Sequence, residues 1–299
     1  MQTALVTGAS RGIGRATALQ LAREGWFVLV HYHVNAAKAE AVLAELQRAG
    51  GSGQMVQADL SDEHQIMALF AVIDALPLRL GAVVNNAGTL CQQTTVEHLT
   101  VERINQVFAL NVTAPFVICR EAVKRMAKKY GGEGGAIVNV SSAASRLGAP
   151  GEYVDYAASK GALDSLTIGL SKEVASQGIR VNAVRPGLIH TDIHAQGDEP
   201  NRIARVQHAL PLQRGGQPEE VAAPSPGLSA TTPPTAAAAL SILPVGCNVA
   251  PGNNLLHRRR DSFGFSTRRQ HHAFFNTARC ASGHFSGAEQ HALLPWVGA

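Results

Sequence analysis

The sequence predicts an α/β fold: a doubly wound parallel sheet in a single domain. Three observations carry that expectation. Short β-branched or apolar runs alternate six times with long amphipathic stretches. A glycine-rich segment, Thr7-Gly8-Ala9-Ser10-Arg11-Gly12-Ile13-Gly14, follows the first run and leads straight into a helical pattern. Polar residues also gather just past the ends of several strand runs, where the ligands of such sheets bind.

The runs at 4–6, 27–30, 55–57, 82–84, 136–140 and 180–184 read as strands, being short and rich in Val, Ile, Leu and Ala. Between them, the stretches 15–24, 36–49, 63–76, 101–130 and 156–177 carry apolar residues at helical spacing. Such an order implies parallel strands joined by right-handed helical crossovers.

Composition narrows the function classes. The 299 residues hold 26 Lys and Arg against 22 Asp and Glu, a formal net charge of +4. Residues 224–299 contain six arginines, no lysine, and only Asp261 and Glu289 as acids, so the whole surplus lies there. The first 223 residues, with 20 basic and 20 acidic groups, are neutral, which argues against a nucleic-acid-binding body. Cys91, Cys119, Cys247 and Cys280 are far apart, so neither a disulfide framework nor a metal site is expected, and a reducing cytoplasm is the expected compartment. The start shows no basic leader and no apolar run reaches membrane length, so no targeting segment and no membrane partner are expected.

The glycine-rich turn suits a phosphate. Glycines let the backbone turn tightly and approach a pyrophosphate, whose charge is stabilised by free N–H groups and the helix dipole. The second strand runs into His31-Tyr32-His33-Val34-Asn35 with no acid to accept from a ribose 2′-hydroxyl. Arg11 offers a permanent forked cation. NADP(H) is therefore favoured, with Arg11 and His33 as phosphate partners, and NAD(H) is the alternative.

Tyr156 and Lys160 stand at i and i+4, one above the other on a helix face. A phenol ordinarily titrates near 10, and a neighbouring ammonium stabilises the phenolate, so the pair can act as general acid and base. Upstream lie Asn85-Asn86-Ala87-Gly88, Asn111 and Ser141-Ser142; downstream, Arg185-Pro186-Gly187 ends a strand.

In this order, TGASRGIG, NNAG, Asn111, NVSS, YAASK and RPG, the chain resembles the short-chain dehydrogenase/reductase family over about residues 3–223. The resemblance implies a Rossmann-type domain and a carbonyl or secondary-alcohol substrate of small size. It implies that Ser142 binds the substrate oxygen, Tyr156 handles the proton, Lys160 tunes the tyrosine and holds the nicotinamide ribose, and Asn111 holds a relay water. It places the cofactor against Gly8, Ser10, Arg11, Gly12, Ile13, Gly14, His33, Asp59, Asn86, Ala87, Gly88, Tyr156, Lys160 and the segment Pro186, Gly187 to Thr191. The interval from Ser142 to Tyr156 is one residue longer than the family's usual one, which leaves Ser141 as an alternative. His190 and His194 read as surface residues and Cys91 as a packing residue. A dinucleotide-binding sensor whose chemistry has lapsed is the alternative function.

The family pattern stops near Ala223. The domain is therefore set at 1–223, and 224–299 is read as a non-family, disordered tail lacking the last helix end and the seventh strand; homo-oligomer formation is expected only with an intact ending. A reading-frame shift explains the change. Read one base out of phase, Pro224/Ser225 allows Ile, Ser225/Pro226 Ala and Pro226/Gly227 Trp, and the text can continue as I-A-W-L-x-S-D-D-A-S-Y. Ser241 to Gly246 allow D-x-A-G-G, the ending the family has.

Overall fold

The structure, a computed structural model, describes residues 1–222 and the backbone of residues 240–242. All lie in one compact unit, Met1–Gly252. The strands are β1 (Thr3–Val6), β2 (Phe27–Tyr32), β3 (Ser52–Gln57), β4 (Leu80–Asn85), β5 (Gly135–Val140), β6 (Ile179–Arg185) and β7 (Leu240–Ile242). They form one parallel sheet in the order β3-β2-β1-β4-β5-β6-β7. The strand order reverses between β1 and β4, which opens the ligand crevice of a Rossmann-type sheet at that point.

The helices are α1 (Gly12–Arg23), α2 (Ala36–Arg48), α3 (Glu63–Asp74), α4 (Val101–Phe108), α5 (Ala114–Met126), α6 (Ala144–Leu147), α7 (Val154–Val174), α8 (Ile193–Gln196), α9 (Arg202–Val206) and α10 (Pro218–Ala222). Side chains that accept from first-turn N–H groups start several of them: Asn35 for α2, Asp62 for α3 and Thr100 for α4. Both sheet faces are covered, and alternate strand residues feed two cores. Leu5, Leu29, Val83, Ile137 and Val181 meet Phe70 of α3, Ile118 of α5 and Leu163 of α7. Val6, Val28, Val30, Val84 and Val138 meet Leu21 of α1, Val42 of α2 and Val221 of α10. Each such fully buried side chain contributes about 1.5–3 kcal/mol.

Two expectations are corrected. The stretch 101–130 is not one helix: α4 and α5 are joined by a π turn, Ala109–Thr113, and the end is a separate short helical turn, Lys128–Tyr130. Pro115 has no N–H to give to the Asn111 carbonyl four residues back, so the ordinary ladder is interrupted there although the apolar period runs on. The second correction concerns the seventh strand, expected to be missing. Leu240–Ile242 pairs in parallel with Ala183–Arg185, because the outer edge of β6 offers unpaired N–H and C=O groups and three extended residues suffice to meet them. The rest of the 224–299 reading lies outside the described residues.

Candidate active site

Backbone freedom shapes the glycine turn at two positions. Gly8 and Gly12 take φ of +63° and +54°, the left-handed region that costs other residues. Gly14 lies so close to the turn that a Cβ there would stand 2.4 Å from the Gly8 carbonyl oxygen. The Asn86-Ala87 segment after β4 is clasped to this turn. The Thr7 hydroxyl accepts from the N–H groups of Asn86 and Ala87, both at 2.9 Å, and the Asn86 amide donates to the Thr7 carbonyl at 2.8 Å and the Gly8 carbonyl at 3.1 Å. Asn86 therefore spends its side-chain donors on shaping the turn.

His31, which sequence reasoning passed over, completes the clasp. Its Nδ1 accepts from Gly8 N–H at 3.0 Å and its Nε2 faces the Ala58 carbonyl at 3.1 Å, so Nε2 carries the proton. Burial lowers its pKa to about 4, the Ala58 carbonyl partly opposing, and the ring is neutral at physiological pH.

Beside the turn lies a cavity of about 290 Å³ lined by Ser10, Arg11, Gly12, Arg15, Lys38 and Glu45, among others. Arg15 is paired with Glu45. Arg11 Nη1 and Lys38 Nζ both face Asp192, at 3.7 and 3.0 Å. His33 points at Asp59, Nε2 to Oδ2 3.8 Å. Thr191 lies against Gly12, where a Cβ would meet its Cγ2 at 3.1 Å, so the segment after β6 reaches back to the turn. Left-handed glycines, a cradle that any Cβ would fill and a cavity with three cations fit a dinucleotide phosphate.

The second cluster sits beyond β5 and at the start of α7. Ser142 stands beside Tyr156, near enough to pull its pKa down, and its Oγ accepts from Ala144 N–H at 3.1 Å. The Ser141 alternative finds a structural partner instead: its hydroxyl donates to the Lys160 carbonyl at 3.1 Å. Burial pushes Tyr156 up to about 12, the Ser142 hydroxyl and the Arg202 charge partly opposing. Lys160 Nζ donates to the Val140 carbonyl at 2.8 Å and lies 5.5 Å from the Tyr156 ring centre. Burial lowers the lysine to about 8, the Asp164 charge opposing. Asn111 has its side chain occupied: Nδ2 donates to the Thr89 carbonyl and the Ser159 hydroxyl, and Oδ1 accepts from Thr89 N–H. Gly88 closes the group, since a Cβ there would stand 3.2 Å from Asn111 Oδ1 and 3.5 Å from Lys160 Nζ. Pro186 is buried at the end of β6 and accepts from Ala143 N–H at 2.9 Å.

Buried polar bonds fix α7 against the sheet. Asn85 donates to Asn139 at 2.9 Å and Asn139 to Thr167 at 2.8 Å, which explains the Asn in the NVSS motif. Asp155 accepts from Tyr156 N–H at 2.9 Å and is held by Arg103 of α4 at 2.8 Å. Tyr153, just upstream, donates to the Gly197 carbonyl and lies under the Arg202 guanidinium.

The segment after β6 forms a cover whose base is a bridge between Ile189 and Gly216. Arg202 is paired with Glu152, Arg205 with Glu152 and Glu199, and Gln92 donates to Asp198 at 3.0 Å. His190 is exposed as expected. His194 is not: it is buried, its Nε2 faces the Ile189 carbonyl at 3.0 Å, and burial lowers its pKa. The short spacing of α8 hid this, because one four-residue helix has no readable period.

A dinucleotide-shaped turn together with a Ser-Tyr-Lys group, the serine and tyrosine half-buried and the lysine buried, defines an oxidoreductase of the carbonyl–alcohol type. The chain belongs to the short-chain dehydrogenase family, whose model matches residues 2–202. It is 64% identical over 222 residues to the oxidoreductase YgfF of Escherichia coli, covering 74% of this chain and 90% of that one. It is 39% identical over 221 residues to a 3-oxoacyl-[acyl-carrier-protein] reductase of Synechocystis sp., covering 74% and 86%. Among solved structures it resembles the angucycline C-6 ketoreductase LanV with bound NADP, at a TM-score of 0.73 and 31% identity over 82% of this chain and 94% of that one. NAD(P)-dependent dehydrogenase or reductase chemistry on CH–OH or carbonyl groups follows from the family.

Proposed function

We propose that this chain is an NADP(H)-dependent reductase of small-molecule carbonyls, with Tyr156 as proton donor in the reducing direction. The observation that carries the proposal is the Ser142–Tyr156–Lys160 group: a phenol that desolvation moves up to about 12, beside a serine and with a buried lysine's ammonium 5.5 Å from its ring centre.

The dinucleotide, when bound, supplies the hydride. Ser142 donates to the carbonyl oxygen and orients it. Tyr156 gives its proton to the oxygen as negative charge develops there. Lys160, charged below about 8, stabilises the tyrosinate left behind and offers its ammonium to a ribose hydroxyl. Because the Asn111 side chain is fully engaged, its main chain, at the interrupted ladder before Pro115, is what holds the water that returns a proton. Arg11 and Lys38 bind the 2′-phosphate, displacing their contacts with Asp192. The enzyme works in the cytoplasm, a homo-oligomer forms only where the family's own ending is intact, and the 224–299 segment is an out-of-frame extension. Its support is that the E. coli and Synechocystis relatives match over 222 and 221 residues.

NADPH consumption with a panel of ketones and aldehydes tests the activity. Tyr156→Phe should abolish turnover while NADPH still binds; turnover at an unchanged rate removes Tyr156 from the mechanism. A chain that binds NADPH and reduces none of the panel is the lapsed sensor instead.

A further inference from the structure

The Tyr156–Lys160 stripe continues. Asp164 is one helical turn beyond Lys160 on α7, about 6 Å along the axis, so the three side chains share a face. Asp164 is buried, and so is its partner, Arg185, the last residue of β6. They meet through one bond, Arg185 Nε donating to Asp164 Oδ2 at 2.9 Å. Among the described residues, Asp164 Oδ1 and Arg185 Nη2 are buried without a hydrogen-bond partner. A forked pair could have used both. The carboxylate is thus only half engaged by the arginine, and its other oxygen remains on the helix that carries the lysine.

The groups around Lys160 can be named element by element. Tyr156 and Asp164 come from α7, Arg185 from β6 behind Asp164, and Arg202 from α9 across Tyr156. The β5 contact is the neutral Val140 carbonyl, and the π turn contributes the neutral Asn111. Asp164 is therefore the carboxylate on this lysine's own face. Burial works against the lysine's charge, and Asp164 is the charge that opposes it.

We propose that Asp164 and Arg185 are positioning residues that together set the charge of Lys160, Asp164 favouring the ammonium from one helical turn away and Arg185 limiting how strongly it does so. The proposal rests on Lys160 serving catalysis as argued above. It also explains an arginine at the end of β6, directly before Pro186, where a solvent-excluded cation otherwise has no use. The Lys160 ammonium is bonded to the Val140 carbonyl and makes no ion pair with Asp164, so the carboxylate acts through space along the shared helix face, and an opposite charge at such range still shifts a buried cation's titration by about one pH unit.

The two partners have opposite expected effects, which a merely structural staple would not show. Asp164→Asn should move the alkaline limb of kcat/KM down by about one pH unit, so that activity is lost at neutral pH and recovered at lower pH. Arg185→Gln should move the same limb up. The Lys160 Cε resonance, titrated by carbon NMR in the cofactor-free protein and assigned with Lys160→Met, should move in the same two directions without any turnover. The double variant Asp164→Asn/Arg185→Gln, which keeps a neutral donor–acceptor pair, decides if either single variant does not fold: its limb and resonance should move down, because the nearer charge is removed. Both single variants losing kcat with unmoved midpoints, or moving the same way, or a double variant with an unmoved midpoint, overturns the proposal. The resonance separates the two readings. An active Lys160→Met refutes the catalytic role of the lysine, whereas an unmoved resonance refutes the role of the pair.

Discussion

Lowering the pH from 7 to 4.5 should cost this protein about 2.5 kcal/mol of folding stability through His31 alone. The folded ring is neutral, 2% exposed, accepts from Gly8 N–H and faces the Ala58 carbonyl with its own proton. Burial takes its pKa from 6.5 to about 4. Since the folded value lies below the unfolded one, the stability it contributes is full above about 6.5 and is lost as the pH falls through about 4. At 1.36 kcal/mol per pH unit the whole displacement is about 3.4 kcal/mol, and about 2.5 of that has gone by pH 4.5. The substitution His31→Gln offers an acceptor to Gly8 and a donor to Ala58 but cannot titrate. Urea unfolding of both chains across this range isolates the histidine, because every other titration is common to the two. The difference between their unfolding free energies should shift by about 2.5 kcal/mol in favour of the substituted chain. Parallel curves would refute the neutral, buried histidine. Dinucleotide affinity should fall over the same range in the histidine chain, since an imidazolium cannot accept from Gly8.

Three other outcomes are expected. Gly14→Ala places a methyl group 2.4 Å from the Gly8 carbonyl oxygen and 2.5 Å from Asn86 Nδ2; NADPH affinity by fluorescence titration should drop at least about tenfold, as backbone cannot yield as a side chain does. Lys38→Gln should weaken NADPH by about 1.5–3 kcal/mol, the worth of a charge-assisted bond, and leave NADH unchanged, read from the ratio of their kcat/KM values. Ser142→Ala should lower kcat by about 10²-fold or more with NADPH affinity kept, because the substrate oxygen loses a donor and the phenol a polar neighbour.

Much of the fold was legible because the information is local. Each strand run carries its own β-branched composition, and a parallel strand buried on both faces tolerates little else. The Tyr156–Lys160 pairing was legible for the same reason: the two are one turn apart on α7, so spacing alone aligns them. What escaped lies between elements. His31 matters only because β2 sits beside both β1 and β3, so one ring spans Gly8 and Ala58. Asp164 and Arg185 are 21 positions apart and meet only when β6 packs on α7. Asp192 finds Lys38 across 154 positions, a contact that no periodicity encodes. The π turn escaped because Pro115 alters hydrogen bonding without altering the apolar period.

The glycine turn, His31 and the Ser-Tyr-Lys group share one design constraint. Of the titratable groups at their centre, His31 and Lys160 are buried and Tyr156 is half-buried, and desolvation displaces the pKa of each from its value in water. For Tyr156 this means a neutral phenol at pH 7, which suits proton donation and hence reduction; for Lys160 it means a cation with little margin above neutrality. A site tuned this way needs its neighbours fixed, and the polar bonds from Asn85 through Asn139 to Thr167 hold α7 in register with β4 and β5. The direction of catalysis should therefore reverse with alkalinity only as far as Lys160 keeps its charge. Alcohol oxidation, which needs the phenolate and the ammonium together, gains as the pH rises toward about 8 and then levels off, because the phenolate still forming toward about 12 is offset by the ammonium being lost, whereas the reduction profile declines above about 8. Monotonic rise of the oxidation rate well beyond about pH 8 would mean that the lysine is not what stabilises the phenolate.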